Sequence, residues 1–137
     1  MWLVRPAQTE DLKGVLKLAG GLGPRLSSTL PAREEALAEK INQSSNAFAG
    51  ATSAGEFPRF MFVLEDTATG EVRGVAGIDA RAGQGQPFYN YRKDALIHAS
   101  HELGVSRRVE VLYPSHALTD RTLLCAFTID PKLRGSD

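Results

Sequence analysis

The stretch from Arg59 to Ile78, RFMFVLEDTATGEVRGVAGI, decides how the rest of the chain is organised. Every residue from Phe60 to Leu64 is apolar, which is typical of a strand covered on both faces. The segment from Glu65 to Gly70 then supplies turn-forming residues, and Gly70 is free to adopt a positive φ. The apolar pattern returns from Val72 to Ile78, so the stretch predicts a β-hairpin.

Two glycines interrupt the second arm of this hairpin. Gly74 and Gly77 predict a β-bulge or the close approach of another backbone segment. Glu65 and Asp66 are assigned to the turn. Neighbours on a strand point to opposite faces, so these two carboxylates are not expected to act as a paired acid and base.

Two helices are predicted upstream, after a short β-prone run from Trp2 to Val4. Thr9 is expected to cap the first helix, which ends at the glycines at 20, 21 and 23. Its apolar positions recur at helical spacing: Leu12, Val15, Leu16 and Ala19. This pattern predicts one amphipathic helix of about three turns.

A second helix is expected to follow Pro31, with Leu37 and Ile41 on its buried face. Residues 42–58 are rich in Ser, Ala, Gly and Asn, and they are interpreted as a loop or alternatively as a linker. Further strands are expected downstream at Ala95 to Ala99, Val109 to Tyr113 and Leu123 to Ile129. Helices followed by a run of strands indicate an α+β fold, with two helices packed on a mostly antiparallel sheet.

Composition narrows the class of protein. The 137 residues suit one domain, predicted to span residues 1–137. Sixteen Lys and Arg balance sixteen Asp and Glu, so no charge field for nucleic acid or for an anionic membrane is indicated.

The lone Cys125, in the apolar run LLCAF, is interpreted as a small buried hydrophobe. No run resembles a signal peptide or a membrane span, which predicts a cytoplasmic location.

Polar side chains offer few catalytic candidates. The histidines His98, His101 and His116 lack a cysteine or acidic element at metal-ligand spacing, so no metal site is predicted. The segment PFYNYR is expected either to line a polar pocket, with Arg92 holding a carboxylate, or to place its tyrosines in the core. The pair Arg107 and Arg108 is interpreted as a solvated turn.

The last residues, LLCAFTIDPKLRGSD, are the most informative for function. A strand that runs into Asp-Pro and then Arg-Gly is how a phosphate-binding loop can begin, since glycine lets backbone N–H groups point at an anion. By itself the Arg-Gly pair at Arg134 and Gly135 is a weak signal, because short motifs of this kind match freely.

Several stretches, taken together, resemble the arginine N-succinyltransferases, members of the wider GNAT acyltransferase fold. These are RPAQTEDL near the start, FVLEDTATGEV, PFYNYR, HASHELGV, and LC with DPKLRG near the end. They occur in this order along the whole chain, and their joint occurrence is far more specific than any one of them.

The resemblance implies transfer of succinyl from succinyl-coenzyme A to the α-amino group of arginine, with no metal. It implies that residues 1–137 are the N-terminal portion of a longer enzyme, ending where the pyrophosphate loop of the coenzyme A site begins. It places the succinyl-coenzyme A contacts at Phe127, Arg134 and Gly135. It also implies that backbone N–H groups near Phe127 stabilise the oxyanion when the deprotonated amine attacks the thioester. The proton-donating histidine of the family matches none of the three present, so no catalytic residue is assigned.

The chain departs from the family pattern in two places. The loop Leu26 to Pro31 is one residue longer than in the family. Beside the expected acyl site, the residues that differ from the usual ones are Ser115, His116, Thr119, Asp120 and Thr122 to Leu124. Two functions therefore stay open. The chain is either the N-terminal portion of the enzyme, inactive in isolation, or a non-catalytic module that pairs with a full-length acyltransferase as a homo- or hetero-oligomer.

Overall fold

The computed structural model of the chain describes residues 1–22, 29–83 and 85–135. Within these ranges the elements are β1 (Trp2–Pro6), α1 (Leu12–Gly20), α2 (Glu34–Phe48), β2 (Arg59–Asp66), β3 (Glu71–Asp79), β4 (Asn90–Ser100), β5 (Val105–Ser115) and β6 (Leu123–Ile129). Short 3₁₀ turns occupy Thr9–Asp11 and Pro131–Leu133. None of the described helices is long and apolar enough to cross a membrane.

The contacts of the chain cluster into two compact units. The larger contains residues 1–81 and the chain from Thr122 onward, and the smaller is Ala82–Arg121. The larger unit holds a four-stranded sheet in the order β1-β2-β3-β6, and every neighbouring pair is antiparallel. The predicted α+β class, with two helices on an antiparallel sheet, is confirmed. The prediction of one domain over residues 1–137 stays a prediction.

The core lies between the two helices and one face of this sheet. Val15 and Ala19 of α1 and Leu37 and Ile41 of α2 are almost completely buried, as their helical spacing predicts. They pack against side chains that alternate along the strands: Met61, Val63, Val75 and Ala126. The opposite face of the sheet, here called the outer face, is different, because Val4 and Phe127 remain 66% and 74% exposed there.

The start of α1 differs from the expectation. Thr9 does not precede the helix as its cap, since it lies inside the 3₁₀ turn Thr9–Asp11. The Asp11 carboxylate instead accepts the backbone N–H of Gln8 at 2.8 Å and so satisfies a donor at the start of the helix. The helix ends at Gly20, as predicted. Gly23 and the residues Leu26 to Ser28 of the longer loop lie outside the described residues.

The loop predicted over residues 42–58 is wrong for its first part, because α2 continues to Phe48. Ser44 is completely buried, and its hydroxyl accepts the backbone N–H of Met61 at 2.8 Å. Phe48 contacts the rings of Phe60 and Phe62 edge-on, at 5.0 and 5.5 Å between centroids. Tertiary contacts with β2 therefore extend a segment whose composition favours a loop.

Replacing Ser44 tests this extension. Ser44→Ala is expected to lower the free energy of unfolding by about 2 kcal/mol, because the buried Met61 N–H loses its acceptor. Ser45→Ala is the matched control, since the Ser45 hydroxyl bonds to the Ile41 carbonyl one turn back and to no other group of the described residues. Urea denaturation measures both changes. Equal, small losses for the two variants would contradict the role given to Ser44.

The hairpin of β2 and β3 forms as predicted, and Gly70 has φ of 69°. The assignment of Glu65 and Asp66 to the turn is wrong, because both residues belong to β2. Glu65 accepts from Arg5 Nε at 2.6 Å across the strand pair, which explains why the strand continues through an acidic residue. Register shifts flank both Gly74 and Gly77, so the bulges predicted from these glycines are confirmed.

The smaller unit is built on the two-stranded sheet of β4 and β5. The two segments pair in register from Asn90 opposite Ser115 to Ser100 opposite Val105. Arg107 and Arg108 are solvated as expected, but the predicted turn is wrong because both lie on β5. Large apolar side chains such as Ile97 and Leu112 are exposed on this sheet.

Candidate acyl-transfer site

The strand β6 forms one edge of the larger unit's sheet. It pairs with β3 on one side, and no other strand of the described chain adjoins it. Alternate backbone N–H and C=O groups of an edge strand lack a partner in the ladder and can bond to an extended ligand. The sheet is thus open at the strand where the family resemblance places the acyl site.

A bulge interrupts β6 in its middle. Val75 lies opposite Thr128 and Gly77 opposite Cys125, so β6 advances three residues where β3 advances two. Ala126, within the extra step, has φ of 51°, a left-handed conformation that is uncommon for a residue with a Cβ. The Ala126 N–H donates to the Thr29 hydroxyl at 3.2 Å, which brings residues from distant parts of the chain together at the bulge.

Phe127 follows the bulge and lies on the outer face, where 74% of its surface is exposed. A shallow groove of about 150 Å³ runs beside it. Its lining is almost entirely apolar and includes Val4, Phe62, Leu64 and Ala76. The first of the predicted cofactor contacts is therefore accessible, at the edge of the sheet and above an apolar surface.

The chain turns sharply just beyond β6. The Asp130 carboxylate accepts the Lys132 N–H at 2.9 Å and pairs with Arg73 at 2.8 Å. The Lys132 bond, and with it the Arg73 charge, lowers the pKa of Asp130. After the turn, Arg134 is extended and Gly135 has φ of 76°.

Arg134 and Gly135 are both exposed, so neither is held inside the fold. A left-handed glycine beside an exposed arginine suits a loop that wraps an anion, although the geometry of these two residues leaves their role as phosphate contacts a prediction.

A small polar pocket lies at the bulge, on the face of the sheet that carries the helices. It has a volume of about 90 Å³, and its charged lining residues are Lys40, Arg59 and Asp79. Arg59 and Asp79 form a bidentate ion pair, in which Nε bonds to Oδ1 and Nη2 bonds to Oδ2 at 3.0 Å. Burial raises the pKa of the Cys125 thiol at the pocket wall, which keeps this group neutral.

The other candidates from the sequence lie in the smaller unit. Tyr89 and Tyr91 are 73% and 68% exposed, so the interpretation of them as core residues is wrong. The Arg92 guanidinium bonds to Asp94 at 3.3 Å on the exposed strand β4. Among the described residues no His, Cys, Asp and Glu side chains cluster as a metal site would require.

The three histidines fall in different parts of the smaller unit. His98 lies on β4, His101 in the turn that follows it, and His116 just beyond β5. The ring of His116 contacts Tyr89 at 4.7 Å between centroids. None of the three is assigned a role in proton transfer.

An open antiparallel sheet with two helices on one face and a bulged edge strand is consistent with an α+β acyltransferase fold. Residues 2–137 match the family model described as arginine N-succinyltransferase beta subunit. The chain belongs to the arginine N-succinyltransferase family.

Individual relatives agree with this assignment. Proteins named arginine N-succinyltransferase from Salmonella paratyphi B and Salmonella typhimurium are each 39% identical over 134 residues, which is 98% of this chain. The solved structure of arginine/ornithine succinyltransferase subunit AI from Pseudomonas aeruginosa is 38% identical, with a TM-score of 0.76 over 99% of this chain. The chain spans only 38% of the length of those Salmonella relatives and 41% of the Pseudomonas chain.

Proposed function

We propose that this chain supplies the acyl-binding portion of an arginine N-succinyltransferase, which transfers succinyl from succinyl-coenzyme A to the α-amino group of arginine. The observation that carries the proposal is the open edge of β6 with its bulge at Ala126. Family membership supports the choice of reaction, and the two substrates follow from the family. A cytoplasmic location is part of the same proposal.

The reaction needs a thioester carbonyl held beside hydrogen-bond donors. The pantetheine arm lies along the unpaired edge of β6, and backbone N–H groups at Phe127 face the thioester oxygen. The arginine amine forms the new N–C bond, the C–S bond breaks, coenzyme A leaves as the thiolate, and the amine releases one proton. The bulge serves this step because it turns donors of the edge away from the regular ladder.

The pyrophosphate of succinyl-coenzyme A is assigned to the segment after β6. Arg134 supplies a charged, planar donor for phosphate oxygens, and Gly135 lets the backbone approach them closely. The Asp130 turn, fixed by its bonds to Lys132 and Arg73, sets the direction in which this segment leaves the sheet. Phe127 contacts the cofactor through its backbone, so its side chain is not essential to binding.

The 137-residue portion is proposed to be N-terminal and incomplete. More than half of each relative's length lies outside the matched region. The exposed apolar outer face, with Val4 and Phe127, is the surface that additional chain would cover. A complete site thus requires residues that the 137 residues do not supply.

Titration of the isotope-labelled chain with succinyl-coenzyme A tests the proposal. Amide signals of Phe127 and Gly135 are expected to shift and saturate. Arg134→Ala is expected to weaken binding about tenfold, because a charged hydrogen bond is lost. Arg107→Ala, which removes an exposed arginine of the smaller unit, is the matched control and is expected to change nothing.

Two results would contradict the proposal. One is binding without any change along β6. The other is saturable release of free thiol from succinyl-coenzyme A and arginine by the isolated chain, since this chain is expected to show no turnover alone.

A further inference from the structure

The polar pocket at the β6 bulge carries an unbalanced positive charge. Lys40 reaches it from the middle of α2, Arg59 from the start of β2 and Asp79 from the end of β3. Asp79 is engaged by Arg59 through both of its oxygens. One carboxylate thus faces two cations, and within the described chain no other acidic side chain lines the pocket.

The second cation, Lys40, has no carboxylate bonded to it in residues 1–22, 29–83 and 85–135. Its ammonium group makes no hydrogen bond or ion pair with any residue that the structure describes. Burial lowers the pKa of Lys40 and the nearby charge of Arg59 lowers it further, and together they outweigh the opposing charge of Asp79. An unpaired, half-buried ammonium group is unfavourable, and a bound anion would relieve it.

The pocket also offers hydrogen-bond donors that converge. The Thr29 hydroxyl accepts the Ala126 N–H, so its own hydrogen remains available for a ligand. Arg59 uses Nε and Nη2 on Asp79, and Nη1 has no partner among the described residues. Thr29, Lys40 and Arg59 thus place three donors in the lining of a cavity whose remaining wall, apart from Asp79, is largely apolar.

The size of the cavity limits the anion. A volume of about 90 Å³ accommodates a carboxylate with an adjoining methylene, and it is too small for a nucleotide phosphate with its sugar. Gly77 lines the cavity and lets β3 approach β6 closely, since a Cβ there would lie 3.1 Å from Cys125 Sγ. The neutral thiol of Cys125 adds no negative charge that would repel an anion.

We propose that Lys40, Thr29 and Arg59 form a carboxylate-binding pocket that positions a substrate at the β6 bulge. Ala126 belongs both to this pocket and to the bulge, so a carboxylate bound here lies beside the acyl-transfer strand. Two substrate carboxylates have the required chemistry: the free end of the succinyl group and the α-carboxylate of arginine. The inference deepens the proposed function and rests on it for the identity of these two sources.

Nuclear magnetic resonance titrations of the 137-residue chain with matched probes test the pocket without coenzyme A. Monomethyl succinate is compared with dimethyl succinate, and arginine with argininamide. In at least one pair, the carboxylate-bearing member is expected to shift the amides of Gly77, Cys125 and Ala126 and to bind at least about tenfold more tightly than the matched compound without that carboxylate. The pair that shows this preference identifies the source of the carboxylate.

Variants of Lys40 connect the preference to the pocket. Lys40→Met keeps the length of the side chain without its charge and is expected to abolish the preference, whereas Lys40→Arg is expected to retain most of it. Lys17→Met, which removes an exposed lysine of α1, is the control and should bind as the original chain does.

Two outcomes overturn the inference: no saturable shift with either carboxylate on the original chain, or a preference that survives in Lys40→Met. The inference and the proposed function fail separately. If succinyl-coenzyme A binds along β6 but neither carboxylate-bearing probe is preferred, only the proposed pocket is ruled out. If a carboxylate-bearing probe binds in the pocket but succinyl-coenzyme A does not bind, only the proposed acyl site is ruled out.

Discussion

Asp11→Ala is expected to lower the free energy of unfolding by about 3 kcal/mol, which is a large fraction of the stability of a domain this size. The Asp11 side chain is only 6% exposed and receives two hydrogen bonds from Arg5, at 2.7 and 2.8 Å. The substitution leaves Arg5 with Glu65 as its remaining carboxylate and deprives Gln8 N–H of its acceptor. The loss stays at the lower end of the range for buried pairs because Arg5 is one quarter exposed.

The control for this prediction is Glu10→Ala, which removes an exposed carboxylate from the same 3₁₀ turn. It should change stability by less than about 0.5 kcal/mol. Chemical denaturation of both variants decides the matter. Losses of similar size would show that general charge near the start of α1 matters and that the Arg5 pair does not.

The same ion pair makes stability depend on pH. Burial is the largest single influence on Asp11 and opposes its charge, but the hydrogen bonds from Arg5 and from the Gln8 N–H, together with the charge of Arg5, outweigh it, so the pKa of Asp11 lies below its ordinary value. A lowered pKa in the folded state contributes stability above the pKa of the unfolded chain, about 3.9. That contribution disappears as the pH falls through the folded value. The original chain should therefore lose more stability than Asp11→Ala between neutral pH and pH about 3.

Ala126→Val is the second substitution with a large expected effect, a loss of about 3 kcal/mol. Ala126 has φ of 51°, a conformation that a β-branched side chain adopts only under strain. The side chain is also 7% exposed, so two added methyl groups must displace packed neighbours. The cost of overpacking and the cost of backbone strain add, because moving the neighbouring side chains does not relieve the strained φ of residue 126, and relieving φ does not make room for the methyl groups.

Ala126→Gly separates the two causes. Glycine removes the conformational cost, about 1 kcal/mol, and loses a buried methyl group that contributes a similar amount. Its stability should therefore stay within about 1 kcal/mol of the original. Thermal and urea unfolding measure both variants. A Val variant as stable as the Gly variant would mean that the bulge is not fixed at this residue.

Local sequence patterns predict the frame of the fold well. The hairpin of β2 and β3 follows from two apolar runs separated by a turn, and the buried face of α2 follows from Leu37 and Ile41. The same reasoning ends α2 too early, since Ser44 and Phe48 look unlike a buried helix face until their partners on β2 are known. The last turns of α2 form because of tertiary contacts with β2, and local helix propensity carries no information about such contacts.

Part of the candidate site is likewise predictable from the sequence, and part of it is not. Gly77 marks the bulge from the β3 side, because a glycine within a strand often coincides with a bulge or a close backbone approach. Ala126 gives no such signal, since alanine is ordinary in a strand and its positive φ is imposed by the register with β3. Lys40, Arg59 and Asp79 are missed by sequence reasoning because they come from three separate elements. Only the fold brings their charges to one pocket.

The bulge in the open edge of β6 also bears on self-association of the chain. A flat, unpaired strand invites copies of the same chain to stack on it as growing fibres. The extra residue at Ala126 spoils the regular spacing that such stacking needs, while a flexible small molecule is not bound by that spacing. The bulge at Ala126 thereby opposes the stacking of further copies on β6 and leaves the edge accessible to a small ligand.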